Sequence, residues 1–495
     1  MTYGDPVVPG FHPDPSICRV GADYYLACSS FEYFPGVPIL HSRDLVHWTQ
    51  IGNALDRPGQ LPLPPGTRSS GGVYAPTLRH HDGRFWLITT VIGGGGNALY
   101  TATDPAGPWS DPIWLPGVGG IDPDLAWDAD GTCWCTTAGV QQVRLDPHTG
   151  EPLGAAYQIW SGSPGAQAPE APHLYRIGEY WYLLIAEGGT ERGHSVAIAR
   201  GSTPAGPFEP CPANPILTHR GTHHAVQNTG HADLVQAPDG SWWMVLLGAR
   251  PRGGTPGWHV LGRETFLAPV TWVDDWPVVG DLTAVTPAPA PPWRDDFELT
   301  EFDPAWISLR HRPLGRYTTK DRVGWLTLHA GEGTLDDLDV TFLGRRQQHL
   351  SCRVRALVDP AGGRGGLVVR LDERHHYEVE VSAGRVEVRA RIGPTNTVLA
   401  TLDVPSEPLV LRIEAVVTEP SDPRDGPDTV HLGVEREGDF TVLASLDGRY
   451  LSTEVAGGFT GRVIGPYAVA GTLHVDWLEY APLDAAAMRA PMQDR

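Results

Sequence analysis

Apolar and aromatic residues in the first half of the chain come in short bursts that recur in one arrangement, without the long stripes of amphipathic helices. A small or acidic residue, usually followed by proline, leads a short apolar run, then a glycine, then an aromatic-rich strand. The copies read DPSICRVGADYYLA from Asp14, APTLRHHDGRFWLIT from Ala75, DPDLAWDADGTCWCTT from Asp122, APHLYRIGEYWYLLIA from Ala171 and ADLVQAPDGSWWMVLLG from Ala232. Their glycines (Gly21, Gly83, Gly131, Gly178, Gly240) are spaced by 62, 48, 47 and 62 residues. Short strands repeated at such a period predict radial blades, five of them, around a common axis. Turn signals follow behind the boxes, as SRDLVHW (42–48), ATDPAGPW (102–109) and GSTPAGPF (201–208), with a looser RLDPHTGEP at 144–152.

The pattern changes near residue 280. TPAPAPPW (286–293) is a proline-rich joint, expected to be extended. Beyond it, LSCRVRALV (350–358), GGLVVRL (365–371), HYEVEVSAGRVEVRARI (376–392) and EPLVLRIEAVV (407–417) alternate with period two, as antiparallel strands with one buried face do. The expectation is an all-β chain: a five-bladed β-propeller over 1–285, a linker at 286–293, a concanavalin-like β-sandwich over 294–484 and a tail at 485–495.

Composition narrows the function. Length (495 residues) favours two domains, and the abundance of glycine (59) and proline (47) favours turn-rich β structure. The six cysteines lack a disulfide or zinc spacing; Cys133 and Cys135 share a strand face and read as packed thiols. A net charge of −21 argues against nucleic acid or an anionic membrane as partner. No run reaches the roughly 18 residues of a membrane span, and no secretion signal is visible, so the expected location is cytoplasmic.

The chemistry lies at the starts of the boxes. Asp14, Tyr74 with Ala75, Asp122, Glu170 with Ala171, and His231 with Ala232 occupy equivalent positions of the repeat and should converge at the axis. An Asp before Pro is commonly a turn initiator. Three acids at equivalent places are harder to explain so, because bringing carboxylates together costs stability. Paired carboxyls among aromatics suit glycoside hydrolysis, in which one protonated carboxyl donates to the leaving oxygen and one ionised carboxylate activates water. No phosphate loop or G-x-S-x-G elbow competes with that reading.

At these residues the chain resembles glycoside hydrolase family 43. PVVPGFHPDPSICRVGADYYLACSSFEYFPGVPILHSRDLVHW is similar to the N-terminal signature of its β-xylosidases and α-L-arabinofuranosidases. GGVYAPTLRHHDGRFWLITT, GIDPDLAWDADG, PEAPHLYRIGEYWYLLIAEGGT, GHADLVQ and LGRETF resemble later blocks in the same order. The resemblance implies a five-bladed propeller with an appended sandwich. It also implies Asp14 as general base, Asp122 as pKa-modulating and orienting carboxylate, with Asp124 as rival, and Glu170 as general acid, with Glu187 as decoy. Substrate contacts are expected from Phe31, His231 (hydrogen-bonded within the carboxylate cluster), Arg263 and, from the sandwich, Phe459. Tyr74 stands where family members carry tryptophan, which puts pocket width and sugar preference in question.

The expected activity is inverting release of terminal β-D-xylose from short xylo-oligosaccharides, with an α-L-arabinofuranosidase or an enzyme of both activities as alternative. The acid is expected to keep its proton through burial and the field of Asp122. A retaining, invertase-like enzyme starts differently, and a non-catalytic carbohydrate-binding propeller fits poorly with three acids in place. The reaction requires no cofactor; a structural calcium is conceivable, but no oxygen-rich loop indicates one. The expected partner is a small oligosaccharide, with homo-oligomerisation left open.

Overall fold

A computed structural model describes residues 4–64, 66–310, 315–417 and 420–483. The tail expected at 485–495 lies outside them. The chain divides into two compact units: Met1–Thr67, Gly71–Arg250 and Arg263–Ala288 form the first; Arg68–Ser70, Pro251–Gly262 and Pro289–Arg495 form the second.

In the first unit five antiparallel sheets follow one another, each built on a meander of four strands, with Tyr157–Gln158 of the third pairing back on Gln141–Asp146. Their innermost strands are Ser16–Val20, Gly72–His81, Asp124–Trp127, Glu170–Ile177 and Gln227–Gln236. This is the five-bladed propeller read from the repeat. The box glycines fall in the turns after these strands, with φ between +59° and +88°, and a Cβ on any of them would meet nothing within 4 Å. Glycine is needed there for the left-handed backbone and not for space.

Apolar clusters fill the gaps between blades. Ala27 and Val37 meet Leu78 and Leu87 across blades one and two, and Ile88 and Leu99 meet Cys135 and Val143 across two and three. Val140 meets Leu183, and Leu184 meets Met244, across the next two gaps. Leu26 and Leu40 meet Val245 and Leu267, so blade five also packs on blade one. Each such fully buried aliphatic contributes about 1.5–3 kcal/mol. The N-terminal segment adds hydrogen bonds to the last blade: Val8 pairs with Thr265, and the His12 N–H donates to the Arg263 carbonyl (3.1 Å). All six cysteines are buried free thiols.

The second unit holds two facing sheets. One contains Cys352–Asp359, Leu409–Val416, Thr429–Arg436 and Thr472–Pro482; the other contains Arg364–Asp372, His375–Ser382, Arg385–Ile392 and Val463–Ala470. Strand Cys352–Asp359 alternates buried and half-buried along its whole length, the period-two pattern made physical. Val354, Ala356, Leu411 and Ile413 pack against Leu367, Val379, Val381 and Val388 in one core. Two short segments that interrupt the sequence of the first unit, Arg68–Ser70 and Pro251–Gly262, are built into this unit. His259 N–H donates to Glu454 (2.9 Å), and Gly254 N–H donates to the Asp425 carbonyl (2.8 Å).

Candidate active site

Three of the box starts carry the same backbone feature. Asp14, Asp122 and His231 have φ of +57°, +53° and +45°, the left-handed conformation that residues with a side chain seldom adopt. In the fourth blade the residue with that conformation is Ala171 (φ +50°), which leaves Glu170 one position ahead of it. A bulge between Glu170 and His173 absorbs the offset, and a matching bulge lies between Tyr74 and Thr77. Asp14, Asp122 and His231 therefore share one register of the repeat, whereas Glu170 and Tyr74 enter from the residue before it. Such strain gathers at functional sites, where the surroundings over-determine the backbone.

Asp14 is buried, and its carboxylate is gripped from three sides. Arg263 Nη1 lies 3.0 Å from Oδ1, Ser29 donates to Oδ2 (2.5 Å), and His231 Nδ1 is 3.5 Å from Oδ1. Burial pushes this carboxyl upward, but the Arg263 guanidinium and the Ser29 hydroxyl outweigh it and hold Asp14 below the ordinary carboxylate value. The His231 contact is longer than a hydrogen bond, so that histidine neighbours the cluster without bonding to Asp14. Burial pushes its ring down to about 4, leaving it neutral.

Glu170 is half-buried and pushed up to about 7, first by burial and then by the negative Asp14, with Arg263 opposing. Asp122 accepts from the Ala171 N–H (3.2 Å) and is itself pushed well above the carboxylate range by burial, Glu170 and Asp14. One carboxyl is thus held ionised while two are held back from ionising, because charges of one sign cannot share a buried site.

The wall beside them is aromatic and basic. Buried Phe31 and half-buried Tyr74 meet edge-on with centroids 5.4 Å apart, and the Arg263 guanidinium lies 5.8 Å from the Phe31 ring centre. Arg263 Nη1 also donates to Thr190 (2.9 Å). Burial raises the Tyr74 phenol, so it keeps its proton and remains a donor. Phe459 belongs to the second unit, where it is half-buried and its N–H donates to Ser70 Oγ (2.8 Å).

The rival acids have other tasks. Asp124 is wholly buried, 2.7 Å from Arg79 and accepting from the Leu174 N–H (2.9 Å). Glu187 accepts from the Ser163 N–H (2.5 Å) and pins that loop.

Sequence reasoning missed a second polar layer, two residues further along the boxes. Arg79 of blade two reaches Asp124 of blade three, His173 of blade four (2.9 Å) and Asp233 of blade five (2.8 Å), and Ser16 of blade one donates to Asp233 (2.8 Å). The available signal was a polar residue two positions after Asp14, Ala75, Asp122, Ala171 and His231: Ser16, Thr77, Asp124, His173 and Asp233. His194 was missed too. It is buried, pushed down to about 3 by burial, and set against Gly230, where a Cβ would come within 2.0 Å of its ring. Among the described residues, no group of three or more His, Cys, Asp or Glu is arranged to hold a metal ion.

Comparison with known proteins finds one family across both units. The sequence model of Glycosyl hydrolases family 43 matches residues 3–277, and that of the beta xylosidase C-terminal concanavalin A-like domain matches 294–481. A non-reducing end alpha-L-arabinofuranosidase of Bacteroides ovatus is 39% identical, covering 98% of this chain and 95% of the relative. A xylosidase/arabinosidase of Butyrivibrio fibrisolvens is 38% identical over 94% of this chain and 95% of its own length. The crystal structure of a xylan beta-1,4-xylosidase from Bacillus halodurans superposes with a TM-score of 0.87 at 32% identity, covering 97% of this chain and all of that one. With a family model over its propeller and relatives aligned over nearly its whole length, the chain belongs to glycoside hydrolase family 43 and is a glycoside hydrolase.

Proposed function

We propose that this protein is an inverting, exo-acting glycosidase that removes terminal β-D-xylose from short xylo-oligosaccharides. Asp14 is the general base: it takes a proton from water as the water oxygen bonds to the anomeric carbon. Glu170 is the general acid: it gives its proton to the glycosidic oxygen as the carbon–oxygen bond breaks. Asp122 holds the acid's surroundings in place, and Phe31, Tyr74, His231 and Arg263 line the sugar subsite. Proton transfers alone balance this reaction, so it needs no cofactor.

The observation that carries the reading is the opposed protonation of Asp14 and Glu170, one below the carboxylate range and one at about 7. An enzyme working near neutrality needs that split. Xylosidase names among the relatives favour xylose. A second reading, α-L-arabinofuranosidase, is favoured by the name of the relative aligned over 98% of the chain. Among the described residues no helix is long and apolar enough to cross a membrane.

Initial rates on 4-nitrophenyl β-D-xylopyranoside and 4-nitrophenyl α-L-arabinofuranoside decide between the two, with product anomer read by NMR. A dominant xyloside rate, abolished in Asp14→Ala and giving the α-anomer first, is expected. A dominant arabinofuranoside rate reassigns the sugar, and a retained anomer overturns the roles given to Asp14 and Glu170.

A further inference from the structure

One guanidinium ties together the strands that carry the carboxyl cluster. Arg79, on the innermost strand of blade two, donates through Nη2 to Asp124 (2.7 Å) and His173 (2.9 Å). Through Nη1 it donates to Asp233 (2.8 Å) and Ser16 (3.3 Å). These partners stand on the innermost strands of blades three, four, five and one. Each closely follows a residue of the pocket. Ser16 is two positions after Asp14, Asp124 two after Asp122, Asp233 two after His231, and His173 three after Glu170 across the bulge. Two extended residues span at most about 7 Å, which leaves little chain to absorb a shift.

Other ties between these strands leave one gap. Asp233 accepts from the Ile17 N–H (3.0 Å), Ser16 Oγ from the Leu78 N–H (3.0 Å) and Asp124 from the Leu174 N–H (2.9 Å), while Tyr175 donates to Asp233. They join blade five to one, one to two, three to four and four to five. Among the described residues, the innermost strands of blades two and three share no hydrogen bond other than Arg79 on Asp124.

Cohesion between blades is already supplied by apolar clusters in every gap. A buried ion network adds little beyond what packed apolar side chains give, because desolvation offsets its attraction. What a rigid fork of N–H donors supplies instead is geometry. The residues just ahead of the hub depend on it: Asp14, Asp122, Ala171 and His231 hold left-handed backbones, which persist only where the surroundings fix them.

We propose that Arg79 is a positioning residue for the reaction: by fixing four strands next to Asp14, Asp122, Glu170 and His231, its fork sets the separation of the Asp14 and Glu170 carboxyls. The proposal rests on the roles given to those two acids, for which a misplacement of about 1 Å costs roughly 10²-fold.

The guanidinium can be removed and returned. Arg79 also lines a cavity of about 380 Å³ whose other walls include Arg19, His81, Trp127, Ile177 and Gln236, further along the innermost strands of all five blades. That cavity reaches the hub from the end of the axis away from the carboxyls. In Arg79→Ala, shown to be folded by circular dichroism, kcat on the aryl glycoside that the wild type prefers is expected to fall about 10²-fold, with KM within about threefold. Guanidinium at about 50 mM, far below the molar range that unfolds proteins, is expected to restore kcat by about tenfold, whereas urea and sodium chloride at the same concentration restore nothing. Arg79→Lys keeps the charge without the fork and is expected to fold and to lose about tenfold in kcat, so it decides alone if Arg79→Ala does not fold. Wild-type kcat in either variant overturns the proposal. So does kcat that guanidinium leaves unrestored in Arg79→Ala, whatever happens to its melting temperature. Asp14→Ala separates the two claims. Activity that survives it overturns the base assignment and the proposal resting on it, whereas activity lost in Asp14→Ala but kept in the Arg79 variants removes only the positioning role.

Discussion

Arg263 and Asp14, 249 residues apart in the chain, meet through a 3.0 Å contact between Nη1 and Oδ1 inside the propeller axis. The His12 N–H on the Arg263 carbonyl holds the two segments together, so closure of the ring and ionisation of Asp14 share one set of contacts. An opposite charge at this distance lowers a carboxyl by ~1–3 units. Arg263→Met is therefore expected to move the acid limb of the pH–kcat/KM profile upward by about that amount. An unmoved limb would show that Asp14 is not the titrating base.

Glu170, pushed up to about 7 and proposed as the acid, is expected to set the other limb. An acid must hold its proton to give it, so kcat/KM is expected to fall as pH rises through about 7, with an apparent value shared by the coupled Glu170 and Asp122. Glu170→Gln is expected to abolish this limb. It should reduce xylobiose hydrolysis by ~10²–10⁴-fold but hurt the aryl xyloside, with its good leaving group, far less. Equal losses on both substrates would move the acid elsewhere.

The Arg79 guanidinium lies between Asp124 (2.7 Å) and Asp233 (2.8 Å). Removing one member of a buried ion network costs ~3–5 kcal/mol, so Arg79→Met is expected to lower stability by that order in denaturant titration. Asp233 is held far below its ordinary value, Arg79 being the main cause against burial. Its contribution is present above the unfolded carboxyl value and lost as pH falls through the folded one, so Arg79→Met should also lose acid resistance. Arg79→Lys should restore part of kcat if the network aligns the carboxyls; stability regained without kcat would reduce the network to scaffolding.

Gly230 leaves room for the His194 ring, and a Cβ would sit 2.0 Å from its Cδ2. Gly230→Ala is expected to cost ~1–3 kcal/mol by overpacking and to displace His194 from the Asp14 side of the pocket. Combining it with His194→Ala should recover most of the stability. A double variant no better than Gly230→Ala alone would place the strain elsewhere.

Tyr74 meets Phe31 edge-on at the pocket wall. Tyr74→Trp enlarges the ring and removes the phenol. The expected outcome is a change of about tenfold or more in the ratio of xyloside to arabinofuranoside kcat/KM, since small pocket changes are worth ~1–3 kcal/mol. Tyr74→Phe separates the hydroxyl from the ring size. A constant ratio in both variants would remove Tyr74 from sugar selection.

The repeat made the blades legible, because each must bury its faces against its neighbours and so repeats the same apolar run, turn glycine and aromatic strand. The alternation from Cys352 to Asp359 marked the sandwich for the same reason. Asp14, Asp122 and Glu170 were readable as box starts, since the propeller brings equivalent positions to one axis. Sequence alone could not decide which register each acid occupies: the bulge after Glu170 and the left-handed Ala171 exist only in the paired strands. Nor could it assign protonation. Asp14 is held low by Arg263 and Ser29, while Asp122 is pushed high by burial among its neighbours, although both stand in the same D-P motif. A pKa is set by through-space fields and lost solvent, and those depend on which distant residues folding brings within a few ångströms.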